Sequence, residues 1–156
     1  IFGGQEQYAQ KMIDTYKAAG VDPRKVYAQS FNIDDILYWI KNEPAFAKNA
    51  VYLDPIDPAN GVPRMSVERL AELKKAGVQI ISPSYNYLLD VDANGNIVPS
   101  QYAKDIKAAG FRIITWSFER VDLTKGAAGK GSDLRRELNR KAVQVRWAKH
   151  KKRAVS

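Results

Sequence analysis

Lys17-Ala-Ala-Gly20-Val21 joins a helical pattern to an apolar segment, and the chain repeats this arrangement at Lys75-Ala-Gly77-Val78 and Lys107-Ala-Ala-Gly110-Phe111. Glycine readily adopts the left-handed conformation that ends many helices, and a lysine in the last turn complements the negative end of the helix dipole. Each segment therefore predicts the end of a helix followed directly by a β-strand.

This repeated helix-to-strand step predicts an α/β fold built on a parallel sheet. The predicted strands are Val26–Phe31, Val51–Asp54, Val78–Pro83 and Phe111–Phe118. The predicted helices are Gln5–Ala19, Asp34–Lys41 with Asn32 as its N-cap, a helix that starts at Ser66, and Ser100–Ala109. Short apolar strands that alternate with helices are typical of parallel sheets, which carry their functional groups at the C-terminal ends of the strands.

Length and composition limit the classes of protein to consider. The 156 residues suffice for one α/β domain but fall short of the roughly 250 residues of a complete eight-stranded barrel. We therefore expect a small open α/β domain or part of a barrel. Cysteine is absent, which excludes disulfides and thiolate metal sites. No apolar run predicts a membrane span and no signal peptide is evident at the start, so the compartment stays unknown.

The basic residues are concentrated in a tail, residues 130–156. These contain ten Lys/Arg and two acidic residues, which accounts for the whole net charge of +8. Residues 1–129 are therefore neutral and form the predicted α/β domain. A helix over Ser132–Lys152, with one narrow apolar stripe, is predicted in the tail. The apolar stripe favours packing of the tail helix on that domain or on a partner subunit. The alternative is that the basic residues of the tail bind anions or nucleic acid.

Three segments carry a resemblance to a known family: Val26 to Trp39, Ile97 to Lys104, and Ile113-Ile-Thr-Trp116-Ser-Phe-Glu119. Over roughly residues 5–129 the chain resembles the second half of glycerophosphodiester phosphodiesterases. Those enzymes are eight-stranded α/β barrels that hydrolyse glycerophosphodiesters, usually with a divalent cation, in the cytoplasm or periplasm. The resemblance implies a half-barrel equivalent to barrel strands five to eight, and hence a truncated chain.

Most catalytic groups of that family have no counterpart in this chain. The family places its histidines and several acids on the first half of the barrel, whereas the single histidine here, His150, lies in the basic tail. The resemblance carries over only part of a substrate pocket. It implies substrate-binding roles for Gln29 and Ser30 at the end of the first predicted strand, and for Trp116, which is similar to the aromatic residue on the glycerol side.

Two acidic residues follow predicted strands and are the candidates for chemistry. Asp54 ends the second strand and Glu119 follows the last one, so a parallel sheet places both carboxylates at its functional edge. They are candidate catalytic residues, as an acid and base pair, and candidate ligands for Mg²⁺ or Ca²⁺. The alternative is structural: Asp54 caps the following loop and Glu119 pairs with a surface cation. Tyr85 joins Trp116 as a candidate aromatic wall of the pocket, although aromatic residues in strands usually belong to the core.

A second candidate metal site starts at Asp90. Asp90, Asp92 and Asn94 have the alternate spacing of a calcium loop, with Gly95 at the sixth position. Gln101 at the twelfth position cannot supply the bidentate carboxylate of such a loop. Because Asn94-Gly95 is also a strong turn signal, the sequence favours a surface hairpin at this place.

Two functions are compatible with these features. An open half-barrel leaves strand edges exposed, so we expect a homo-oligomer, most simply a dimer that covers them. The first hypothesis is a phosphodiester hydrolase with a rearranged site at the strand ends. The alternative is a non-catalytic, oligomeric half-barrel whose basic tail supports assembly or binds anions or nucleic acid.

Overall fold

A computed structural model describes residues 3–92 and 96–116 of the chain. Helices are α1 (Gln5–Ala18), α2 (Ile33–Asn42), α3 (Pro44–Ala47), α4 (Val67–Lys75) and α5 (Gln101–Ala108). Strands are β1 (Gln29–Ser30), β2 (Val51–Leu53), β3 (Ile80–Ser82), β4 (Leu89–Val91), β5 (Ile97–Pro99) and β6 (Arg112–Ile113). Short 3₁₀ turns lie at Pro23–Lys25, Pro58–Asn60 and Tyr85–Tyr87.

The main sheet is parallel throughout and has the strand order β1-β2-β3-β6. This confirms the predicted α/β fold with helices between consecutive parallel strands. The strands are shorter than predicted, but their ladder continues past the named ends. The Val51 N–H donates to the Ala28 carbonyl at 2.8 Å, and the Asp54 N–H donates to the Ser82 carbonyl at 2.9 Å.

All three repeated segments end their helices in the same way, as predicted. Gly20, Gly77 and Gly110 have φ values of 64°, 100° and 82°. At the first segment the Val21 N–H donates to the Tyr16 carbonyl and the Gly20 N–H to the Lys17 carbonyl, both at 3.0 Å. The other two segments show the same pair of bonds, which defines the Schellman motif. Each helix therefore turns at once into the strand that follows it.

The helix N-termini also follow the sequence pattern. The Asn32 side chain accepts the Asp34 N–H at 3.0 Å, and the Ser66 hydroxyl accepts the Arg69 N–H at 3.2 Å. The Ser100 hydroxyl accepts the Ala103 N–H at 3.1 Å and so starts α5. Each cap satisfies one of the unpaired N–H groups in the first turn of its helix.

The helices pack against one face of the sheet. One hydrophobic cluster joins helix residues to strand residues, and its largest buried members include Ile13, Ile36, Trp39, Tyr52, Leu70, Leu73, Ile81 and Ile106. Successive strand side chains point to opposite faces, so Tyr27, Gln29 and Phe31 lie on the other face, at and beside β1. All three are exposed.

The β4–β5 hairpin and the helix α3 are additions to the predicted alternation of helices and parallel strands. Strands β4 and β5 pair antiparallel, which confirms the hairpin that the Asn94-Gly95 signal favoured. The short helix α3 was not predicted, although Pro44 is its first residue and proline is common at that position.

Residues 117–156 lie outside the described part of the chain, and they include Glu119, the end of the last predicted strand and the predicted basic tail helix. Among the described helices, none combines the length and apolar composition that crossing a membrane requires.

We expect Gly77→Ala to destabilise the fold more than Gly20→Ala does. At Gly77 (φ +100°) an added Cβ meets Ile40 Cγ2 at 3.2 Å, whereas at Gly20 (φ +64°) no atom lies within 4 Å. Left-handed backbone strain alone costs about 1–2 kcal/mol, and the contact at Gly77 adds about 1 kcal/mol. Urea unfolding of both variants measures the difference, and equal losses would show that only backbone strain matters at these sites.

Candidate functional site

A cleft of about 380 Å³ lies at the C-terminal ends of the parallel strands. Its lining comes from the segments that follow β1, β2, β3 and β6, and consists of Phe31, Asp54, Pro55, Ile56, Asp57, Ser84, Asn86, Tyr87 and Trp116. Parallel strands bring these segments together because all their C-terminal ends meet at one edge of the sheet. The structure therefore places Asp54 and Trp116 in the same cleft.

Asp54 is the buried carboxylate of this cleft. It follows β2 and is 1% exposed. One of its oxygens accepts the Tyr102 hydroxyl at 2.5 Å, and the other accepts the Ile56 N–H at 3.2 Å. No cation forms an ion pair with Asp54 among the residues that the structure describes. The structural alternative predicted for Asp54 was that its side chain caps the following loop. The hydrogen bond from the Ile56 N–H to Asp54 is such a cap.

Burial raises the pKa of the Asp54 carboxyl, while the hydrogen bonds from Tyr102 and from the Ile56 N–H oppose the rise. Burial and the hydrogen bond to Asp54 also raise the pKa of the Tyr102 hydroxyl above its ordinary value. Tyr102 therefore remains protonated and acts as a donor to Asp54. A carboxyl group with a raised pKa, placed in a cleft, is suited to proton transfer.

We expect Asp54→Asn to gain stability relative to the wild type as the pH rises from about 4 to 7. Because folding raises the pKa of Asp54, the native wild-type chain binds more protons than the unfolded chain in this range. Its contribution to stability is complete below the ordinary pKa of 3.8 and is lost as the pH rises through the raised value. Urea unfolding of both proteins across this range measures the effect. A difference that does not change with pH would contradict it.

Trp116 and Phe31 form an aromatic pair in the lining. Their ring centroids are 5.7 Å apart and the rings meet edge to face at 87°. The Trp116 indole N–H donates to the Ser82 carbonyl at 2.8 Å, which ties the residue to the end of β3. Both residues keep substantial exposure, 36% for Trp116 and 51% for Phe31. The pair therefore presents a fixed apolar surface to a ligand.

The other predicted pocket residues have different surroundings. Gln29 is exposed on the outer strand β1 and does not line the cleft. The Ser30 hydroxyl donates to the buried Asp35 at 2.7 Å and accepts the Asn32 N–H at 3.0 Å, so it helps to start α2. Tyr85 is 2% exposed and does not line the cleft, whereas its neighbour Asn86 is part of the lining.

The candidate calcium site lies at the hairpin of β4 and β5. Asp92 accepts the Asn96 N–H at 2.8 Å and the Asn96 side-chain amide at 3.1 Å. Asp90 is exposed in β4, and Asn94 lies outside the described residues. Within residues 3–92 and 96–116, no three His, Cys, Asp or Glu side chains come together as a metal-binding group.

Tyr102 and Asn86 contribute to the site and were not identified from the sequence, and Phe31 was not among the residues predicted to bind substrate. Tyr102 and Asp54 are 48 residues apart. Tyr102 lies in the predicted helix Ser100–Ala109 and in the segment from Ile97 to Lys104 that carries the family resemblance, but neither feature indicates that it bonds to Asp54. Asn86 follows Tyr85, and its side-chain oxygen is buried without a hydrogen-bond partner in the described part of the chain. One indication for Asn86 was available in the sequence: it is a polar residue that comes soon after the predicted strand Val78–Pro83.

Comparison with known proteins finds a relative of this chain. The chain is 44% identical over 116 residues to a protein of Arthroderma benhamiae named "Extracellular protein". The match covers 74% of this chain and 47% of that protein, so the chain spans about half the length of the curated relative it matches. No family model matches the chain. No solved structure matches it.

Proposed function

We propose that this chain is a phosphodiester hydrolase of glycerophosphodiester phosphodiesterase descent. The observation that carries the proposal is the cleft at the strand ends, which combines the buried carboxyl group of Asp54 with the exposed rings of Trp116 and Phe31. The parallel strand order β1-β2-β3-β6 fits a half-barrel equivalent to strands five to eight of that family. In this proposal the aromatic pair binds the alcohol end of the substrate.

Asp54 supplies the proton transfer in this mechanism. A water molecule attacks the phosphorus atom, the bond from phosphorus to the ester oxygen breaks, and the leaving alkoxide takes a proton. The raised pKa of Asp54 keeps a larger fraction of the carboxyl protonated than an exposed aspartate would have, and Tyr102 holds it in place. Glu119, outside the described residues, is proposed as the base that accepts the proton of the attacking water.

A divalent cation does not fit the described residues alone. Such ions take several oxygen ligands, whereas the described lining brings two carboxylates, those of Asp54 and Asp57, and the amide oxygen of Asn86. Both Asp54 oxygens already accept hydrogen bonds, from Tyr102 and Ile56, and no third acidic or histidine side chain joins the two carboxylates within the described residues. The proposed ligand pair of Asp54 and Glu119 has only its first member in the described part of the chain. The mechanism therefore uses no step through a metal.

We also propose that the chain forms a homodimer through its sheet. Strand β1 is at one edge of the described sheet, and Tyr27 beside it is 46% exposed, whereas Phe31 lines the cleft. An exposed strand edge with a neighbouring aromatic residue is a surface that proteins usually cover. A second copy supplies that cover and would place two clefts in one assembly.

The location that we propose is extracellular. The relative from Arthroderma benhamiae carries that word in its name, whereas the family resemblance implied the cytoplasm or periplasm. Immunodetection of the native protein in culture medium and in cell extract decides between them.

The alternative function is a non-catalytic half-barrel whose basic tail, residues 130–156, supports assembly or binds anions or nucleic acid. The concentration of ten Lys/Arg in that tail favours it. Binding of the full chain to a polyanion, with an affinity that falls steeply with salt, would support this alternative.

Hydrolysis of a chromogenic phosphodiester by the purified chain tests the proposal. The assay is run on size-exclusion fractions of known mass, with and without EDTA. We expect turnover to co-elute with a dimer. Activity that resists EDTA would agree with a mechanism without a metal, and loss of activity in EDTA would require ligands beyond the described residues. A folded protein without turnover would contradict the proposed hydrolase and leave the non-catalytic alternative.

A further inference from the structure

Arg64 holds an unusual position beside the cleft. It lies in the loop between β2 and α4, shortly after a pair of backbone bonds between Asp57 and Val62, both 2.9 Å long, that closes the loop on itself. The Arg64 guanidinium carbon is 5.8 Å from the ring centre of Tyr87 and 6.0 Å from that of Tyr102. These two aromatic rings hold a cation at the functional edge of the sheet.

Arg64 differs from the other arginines that the structure describes. Arg24 pairs with Asp22 at 2.7 Å, Arg69 pairs with Glu72 at 2.9 Å, and Arg112 donates to the Lys48 carbonyl at 2.5 Å. Arg64 forms neither an ion pair nor a hydrogen bond within residues 3–92 and 96–116. An arginine that packs on aromatic rings keeps N–H groups at its edge available for a carboxylate or phosphate.

Both rings connect Arg64 to the cleft. Tyr87 is part of the lining, and the Tyr102 hydroxyl donates to Asp54. The side chain of Tyr102 therefore separates the Arg64 guanidinium group from the buried carboxyl group of Asp54. An anion bound by Arg64 would lie within one side chain of the group to which we assign proton transfer.

The lining also contains a polar atom that needs a donor. The Asn86 side-chain oxygen is buried and accepts no hydrogen bond in the described part of the chain. A buried acceptor without a partner is destabilising, so such atoms commonly receive a hydrogen bond from a ligand or an ordered water. The deprotonated oxygens of a phosphate can only accept hydrogen bonds, whereas an alcohol hydroxyl group can donate one to Asn86.

We propose that the cleft binds a phosphorylated polyol in a defined direction, with the phosphate on Arg64 and a hydroxyl group of the polyol on Asn86. The inference rests on the proposed function in its choice of phosphate as the anion. It adds a phosphate-binding residue outside the predicted set, and a polarity for the ligand within the cleft.

Calorimetric titration of the full chain with glycerol 3-phosphate, inorganic phosphate and glycerol tests this inference without requiring turnover. We expect Arg64→Gln to weaken binding of both phosphates by about tenfold, since it removes a charge-assisted contact. Arg69→Gln is the matched control, because it removes the same charge from an exposed position on α4 and should change affinity by less than about twofold. Asn86→Ala should weaken glycerol 3-phosphate binding and leave inorganic phosphate unchanged.

The outcomes separate this inference from the proposed hydrolase. Equal affinities for Arg64→Gln and Arg69→Gln would overturn the phosphate site, and so would a wild-type chain that binds neither phosphate. An Asn86→Ala variant that loses both phosphates equally would overturn the ligand polarity. A wild-type chain that binds phosphate through Arg64 but hydrolyses nothing would retain the inference and contradict the hydrolase. If Arg64→Gln fails to fold, Arg64→Lys keeps the charge and loses the flat fork, so it should still weaken binding of both phosphates, but by less than removal of the charge.

Discussion

Asp54→Asn is expected to lower the rate of phosphodiester hydrolysis by about 100-fold or more, the range that general acid–base catalysis supplies. An asparagine has nearly the same shape and can still accept the Tyr102 hydroxyl, but it cannot carry a proton to the leaving alkoxide. The loss should appear in kcat, because the aromatic pair of Trp116 and Phe31 still binds the substrate. Initial rates at several substrate concentrations measure it.

The control for this prediction is Asp105→Asn, which neutralises a half-buried carboxylate on α5 that lies outside the cleft and accepts a hydrogen bond from Gln101. We expect its rate to stay within about twofold of the wild type, as is usual for surface changes. The same Asp54→Asn variant is expected to gain relative stability toward neutral pH. Loss of activity together with loss of folded structure would not fit this mechanism, and unchanged turnover in a folded variant would remove Asp54 from catalysis.

Trp39→Ala is expected to reduce the free energy of unfolding by about 3–5 kcal/mol, the cost of truncating a buried aromatic residue to alanine. Trp39 is 1% exposed in the core, and its indole N–H donates to the Ala9 carbonyl at 3.1 Å, 30 residues away. The residue therefore joins α2 to α1 by packing and by a buried hydrogen bond. Urea unfolding monitored by circular dichroism measures the loss.

Leu37→Ala provides the comparison on the same helix, because Leu37 is 36% exposed. We expect it to cost less than about 1 kcal/mol, in line with the smaller apolar area that it buries. Trp39→Phe keeps most of the volume but removes the indole donor to the Ala9 carbonyl, and should fall between the two at about 1–2 kcal/mol. Similar losses for Trp39→Ala and Leu37→Ala would contradict the place of Trp39 in the core.

The helix ends and the α/β class were predictable because they depend on short-range interactions. The glycines at 20, 77 and 110 bond to carbonyl groups within a few residues, and the caps at Asn32, Ser66 and Ser100 do the same. The hairpin between β4 and β5 followed from its turn residues for the same reason. Strand lengths were overestimated, since apolar residues extend beyond the positions that pair with a neighbouring strand.

The candidate site was predictable only where strand ends determine it. Asp54 directly follows β2 and Trp116 comes shortly after β6, so a parallel sheet brings them to one edge wherever the helices lie. Ser30 also follows the rule of strand ends, but its hydroxyl is engaged by Asp35 and by the Asn32 N–H. Such engagement depends on where the first turn of α2 lies relative to β1.

The amino-acid sequence established the order of helices and strands, the places where helices end, and the edge of the sheet where chemistry is expected. The tertiary structure established the surroundings of each group at that edge. The bond from Tyr102 to Asp54, the packing of Arg64 on two tyrosine rings, and the buried oxygen of Asn86 join residues far apart in the chain. Such contacts depend on how α5 and the loops pack on the sheet, because local preferences extend over a few residues whereas packing is decided by the whole core.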